Sequence, residues 1–192
     1  MAITALRVLA ASAVAGLALT PGVASAATTA GPAALAHSST ARGSDPNTTV
    51  TFTVTNGVLQ MTAPANVNLG GAAPGGTISG LLGPVTVTDN RALLSASWTA
   101  SASATNWTTG TGTPAETIPP GDVNYDPGTV TSTGTITTSE APITLSTASQ
   151  TIVTGTAGVG DNTASWNPTL TVSVPPAAVA GLYTGTLTQS AF

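Results

Sequence analysis

Cysteine and lysine are absent from this 192-residue sequence, histidine occurs once, and only 5% of the residues are charged. Each gap removes a class of chemistry. Without cysteine there is no disulfide framework, no thiolate nucleophile and no cysteine ligand for zinc. The single histidine, His37, lies in an unpatterned N-terminal stretch, so a Ser-His-Asp or Cys-His device finds no base in the body of the chain. Three arginines against seven carboxylates lack the basic footprint that draws phosphate backbones close, which excludes nucleic acid as a partner. Aromatic residues make up only 4% of the chain, so any core must be built mainly from small and aliphatic side chains.

What is present points to extended structure. Threonine (38 residues) and serine (17) supply most of the polarity, and alanine (33) inflates an apolar fraction of 41%. β-Branched threonine prefers strand to helix. The length fits one domain with a short extension, since compact units run to roughly 100–200 residues.

The N-terminus has the three parts of a secretion signal. A positive charge at Arg7 precedes the apolar run Val8 to Leu19, and Thr20-Pro21-Gly22 leads into the small residues Ala24-Ser25-Ala26. The run is shorter than the roughly 20 residues that span a bilayer. The sequence therefore predicts a signal peptide over 1–26, export, and a mature chain beginning near Ala27. Residues 27–44 are small, polar and unpatterned and read as a flexible leader. The folded domain is expected over 45–192.

Within it, Val50, Phe52 and Val54 alternate with Thr49, Thr51, Thr53 and Thr55, the period of a strand. Asn56-Gly57 then suggests a tight turn into a second strand, Val58 to Thr62, and so a hairpin. Similar runs occupy Pro84 to Thr88, Ser95 to Ser103, Thr129 to Thr137, Ile143 to Leu145, Thr151 to Val153, Thr169 to Val174 and Leu182 to Thr188. Turn clusters such as Pro74-Gly75-Gly76, Pro119-Pro120-Gly121 and Pro175-Pro176 separate them. No stretch is left for a long amphipathic helix. The expected fold is an all-β antiparallel β-sandwich, with a β-barrel as the alternative that alternation cannot separate from it.

Three stretches resemble the WxL family, β-domains that hold exported proteins on Gram-positive cell walls without a covalent link. The first is Val85-Thr86-Val87-Thr88-Asp89-Asn90-Arg91 followed by Ser97-Trp98-Thr99-Ala100. The second runs from Pro114-Ala115-Glu116-Thr117-Ile118-Pro119 to Val123-Asn124-Tyr125 and is similar to actinobacterial-type members. The third joins Trp166-Asn167-Pro168-Thr169-Leu170-Thr171-Val172 to Ala180-Gly181-Leu182-Tyr183-Thr184-Gly185-Thr186-Leu187-Thr188. Where the family carries its Trp-x-Leu motifs, this chain reads Trp98-Thr99-Ala100 and Gln189-Ser190-Ala191. The resemblance implies a sandwich associated with the cell wall, binding peptidoglycan or a wall-bound protein.

Trp98, heading the family motif, is the first candidate for such contact, because an indole offers a flat apolar face and one donor to a sugar ring. It could equally pack between the sheets. Asp89 and Arg91 flank a turn and either pair with each other or with a neighbouring strand, or contact the ligand. Trp107 and Trp166 carry no motif and read as core or sheet-edge packing. Gly121 to Gly128 starts like a calcium loop, but Pro127 and Thr133 stand where glycine and a bidentate glutamate are required, so it reads as a polar turn. Six carboxylates lie between Asp89 and Asp161, with no spacing that singles out a pair for glycan hydrolysis. The sequence thus predicts a non-enzymatic surface domain that needs no cofactor. The alternative is a structural or adhesive subunit that self-assembles through strand edges.

Overall fold

The computed structural model describes residues 48–192, whose compact unit is Val50–Phe192. The predicted signal peptide, the leader and His37 lie outside the described residues. The chain forms eleven strands: β1 (Leu59–Thr62), β2 (Thr77–Leu81), β3 (Val85–Ala104), β4 (Trp107–Thr108), β5 (Thr117–Ile118), β6 (Val123–Asp126), β7 (Thr131–Glu140), β8 (Ile143–Thr144), β9 (Gln150–Trp166), β10 (Thr169–Ser173) and β11 (Leu187–Ala191). Two 3-10 turns, Pro114–Glu116 and Pro120–Asp122, flank β5. No helix among the described residues is long and apolar enough to cross a membrane.

The strands form antiparallel sheets packed together, as a β-sandwich does, and no barrel closes. One sheet runs β1-β3-β9-β7, with β11 also paired to β3; another runs β2-β10-β6-β8; β4 and β5 form a small third. The longest strand, β3, is the spine. Along one edge it pairs with β9 from Val85↔Trp166 to Ala102↔Gln150. Along the other it takes β1 at Thr86–Asp89 and β11 at Ala100–Ala104.

The alternation of the sequence explains which residues face inward. On β6, Val123 and Tyr125 are buried while Asn124 and Asp126 are exposed. On β3, Val85, Val87 and Asp89 face inward, and after an irregular middle the inward set becomes Ala96, Trp98, Ala100, Ala102 and Ala104. These alanines leave volume between the sheets for three large aromatics, Trp98, Tyr125 and Trp166, all buried. Each such ring removes about 150–250 Å² from water, which at roughly 25 cal/mol per Å² stabilises by about 4–6 kcal/mol as an upper bound.

Several expectations are corrected. Val50 to Thr55 is no strand: Val50, Phe52 and Val54 are 78%, 87% and 76% exposed. Asn56-Gly57 makes no hairpin turn, because Gly57 N–H donates to Asn90 O (2.6 Å) and Asn90 N–H to Val58 O (3.1 Å), extending the β1–β3 ladder instead. Alternation had a partner to find only from Leu59 onward. The two runs around Asp89 belong to one strand with a bulged middle. The run from Thr151 continues to Trp166 through glycines that mask its period. Only Leu187 and Thr188 of the last expected run are in a strand, and Leu182 is exposed.

Candidate functional site

At the middle of β3 the ladder to β9 slips between Asp89 and Trp98, where nine steps on β3 face seven on β9. Ala92 and Ala157 adopt positive φ there, 52° and 54°, a conformation alanine resists. The bulge pushes Leu93 and Leu94 into solvent, Leu94 to 82% exposure. Asp89 and Arg91 clamp its base. Arg91 Nε donates to Asp89 Oδ1 and Nη2 to Asp89 Oδ2, both at 2.8 Å, while Arg91 N–H donates to Oδ1 at 3.0 Å. Arg91 Nη2 also reaches Ser97 O at 2.8 Å, spanning the bulge. Asp89 is 0% exposed, and the Arg91 hydrogen bond holds its carboxyl below the usual range against the opposing effect of burial. Asp89 raises Arg91 in return.

This placement corrects two of the sequence candidates as direct contacts. Trp98 is 3% exposed and packs over Gly155, so its ring face is closed to a sugar. Asp89 is sealed behind Arg91. Arg91, whose side chain is 28% exposed, has Nε and Nη2 engaged on Asp89 and Ser97 and acts here as a bulge clamp. The structure brings all three together on one strand, but as internal architecture. Trp166 is a core residue, as one of its two expected readings held, and its Nε1 donates to Tyr125 Oη (2.9 Å), which donates to Gln189 Oε1 (2.9 Å). Burial raises the Tyr125 phenol well above its ordinary pKa, with the Trp166 hydrogen bond acting the other way.

Gln189 leads from this buried chain to the feature that sequence reasoning missed. Between loop 63–76 and residues 178–187, a groove of about 810 Å³ opens between β10 of one sheet and β11 of the other. That lies within the roughly 300–1,000 Å³ typical of ligand sites. Its floor is apolar, with Ile78, Leu170 and Val172; Trp107 and Tyr183 supply aromatic surface, and Asn66, Asn68 and Gln189 supply amides. No charged side chain among the described residues lines it. Trp107 is half-buried and bridges the main core and a satellite cluster of Ile118, Val174 and Ala178. Gly185 permits this, since a Cβ there would stand 2.8 Å from the indole Cγ. Tyr183 Oη ties the wall together by reaching Val179 O (2.9 Å) and Ala115 O (3.2 Å). The walls of the groove are loops without periodicity, so only the local abundance of Gly, Pro and Asn in 63–76 hinted at it.

Two further carboxylates serve turns. Glu116 Oε2 accepts from the backbone and hydroxyls of Thr113 and Thr111, and these bonds, those of Thr113 foremost, lower its pKa. Asp126 Oδ1 accepts Gly128 N–H at 2.9 Å, and Val123–Asp126, expected as a polar turn, is strand β6. No cluster of three or more His, Asp or Glu side chains suited to a metal occurs among the described residues. No protein-family model matches the chain, and neither the curated proteins nor the solved structures give a match.

Proposed function

We propose that this chain is an exported, non-enzymatic domain of the cell surface that attaches without a covalent link to peptidoglycan or to a wall-bound protein. The signal-like N-terminus and the WxL-like blocks motivate the location. The observation that carries the binding role is the uncharged groove with Trp107 and Tyr183 on its wall. An apolar floor, aromatic faces and a few amides suit a neutral, hydroxyl-rich or amide-rich chain: sugar rings stack on indole, and amides pair with hydroxyls or peptide groups. Trp107 takes the role first expected of Trp98.

Pull-down of the purified domain on isolated sacculi tests this. Wild-type protein is expected in the pellet and Trp107→Ala mostly in the supernatant, with far-UV circular dichroism confirming that the variant is folded. If wild type stays wholly in the supernatant, attachment to the glycan is wrong.

A second reading, self-assembly through strand edges, draws on the exposed alternating segment Val50–Thr55 and on the outer edge of β7, unpaired among the described residues. A stretch patterned for a sheet but left outside one is the feature expected of a strand that joins another molecule.

A further inference from the structure

We infer that Val50–Thr55 is a donor strand that adds to the outer edge of β7 in a second copy of the chain, joining copies head to tail. The inference rests on the self-assembly reading and names both its surfaces.

The donor is apolar on alternate positions and has no partner among the described residues. Val50, Phe52 and Val54 point one way by their spacing and are largely exposed, while the intervening threonines are suited to a solvated face. The acceptor is β7, which pairs with β9 on one side only. No other described segment hydrogen-bonds to its backbone from outside. A bulge near Gly134 interrupts it, yet its ten residues contain neither lysine nor proline, the side chains that commonly blunt an edge. Ile136 is half-buried on the inner side of β7 and packs against the core. A strand laid beyond β7 with Val50, Phe52 and Val54 inward would extend that apolar surface.

The chain cannot make this addition to itself. The sheet order β1-β3-β9-β7 places donor and acceptor on opposite margins. A strand outside β7 lies four spacings from β1, roughly 19 Å at about 4.8 Å each. Thr55 precedes Leu59 by four residues, which span at most about 14 Å. The segment is not folded back onto β1 either: Gly57 and Val58 are held to Asn90, and among the described residues no backbone bond joins Val50–Thr55 to β1. A donor on one margin and an acceptor on the other give a heterologous contact, which propagates into a ring or a filament.

Light scattering of the full chain at rising concentration, together with cross-linking, tests the inference. The absence of cysteine gives a clean background for the double variant Thr53→Cys/Thr137→Cys, both at exposed positions. Mass is expected to grow beyond a dimer, and Phe52→Asp, which touches no core, is expected to return it to monomer. Oxidation of the double variant should give a ladder of three or more rungs, whereas either single variant stops at dimer. If the chain associates but Phe52→Asp changes nothing and no ladder forms, the donor assignment fails while self-assembly stands. A monomer at every concentration overturns both.

Discussion

Gly155 and Trp98 are cross-strand partners, and the indole lies so close over the glycine that a Cβ built there would stand 2.6 Å from Nε1. The small residue on β9 is what lets the largest side chain of β3 lie flat inside the sandwich. Gly155→Ala must therefore shift the ring or the strand, at a cost of about 1–3 kcal/mol for overpacking. Urea unfolding followed by tryptophan fluorescence would read it as a lowered midpoint with unchanged slope. Because Trp98 Nε1 is buried without a hydrogen-bond partner among the described residues, Trp98→Phe should lose less than Trp98→Ala.

The chain Trp166 to Tyr125 to Gln189 bolts one sheet to the other. Tyr125→Phe keeps the ring but leaves the Trp166 N–H unpaired in the core, and about 1–3 kcal/mol of stability should be lost. The same burial predicts an alkaline behaviour. The Tyr125 phenol is raised in the folded state above the roughly 10 of an unfolded tyrosine. The stability this gives is fully present below about pH 10 and is lost as pH rises through the folded value. In an absorbance titration, the Tyr125 phenolate should appear only as the native circular dichroism disappears.

Much of the sandwich could be read in the chain because alternation is a local property. β10 and the start of β3 carry their inward Val and Leu in plain period two. The misses have physical causes. Val50–Thr55 has the pattern but no strand partner among the described residues, and pattern alone cannot supply one. The second half of β3 buries alanines, whose small size gives a weak signal, and β9 hides its period behind glycines and a bulge. The candidate site was least legible: Asp89 and Arg91 are two residues apart in the sequence, but whether a tryptophan faces in or out depends on the bulge that switches the parity of β3. The groove, whose walls are loops distant in sequence, left no periodic trace of its outline.

The Asp89–Arg91 clamp predicts an acid dependence. In the unfolded chain Asp89 titrates near ~3.9, and in the folded chain the Arg91 bonds hold it lower. Its contribution is therefore present above about pH 4 and is lost as pH falls through the folded value. Asp89→Asn should cost about 1–3 kcal/mol at neutral pH, since it leaves the Arg91 guanidinium poorly matched beside a buried amide. Thermal melts across pH should show the gap to wild type narrowing below about pH 4, and a gap that is constant with pH would contradict this.

The bulge stores strain that glycine would release. Ala92 and Ala157 both sit at positive φ, where a β-carbon costs roughly 1–2 kcal/mol. Glycine removes that cost but adds about 0.5–1 kcal/mol of backbone entropy to the unfolded chain. Ala92→Gly, at an exposed position, should therefore stabilise by up to about 1 kcal/mol, and Ala157→Gly likewise. Ala164→Gly is the contrasting case, because Ala164 is buried on β9 outside the positive-φ set. There the substitution relieves nothing, removes a packed methyl and should destabilise. Denaturant midpoints rising for the first two and falling for the third would locate the strain at the bulge. A uniform fall in all three would mean that the surrounding ladder, with Arg91 across it, accommodates these alanines without penalty.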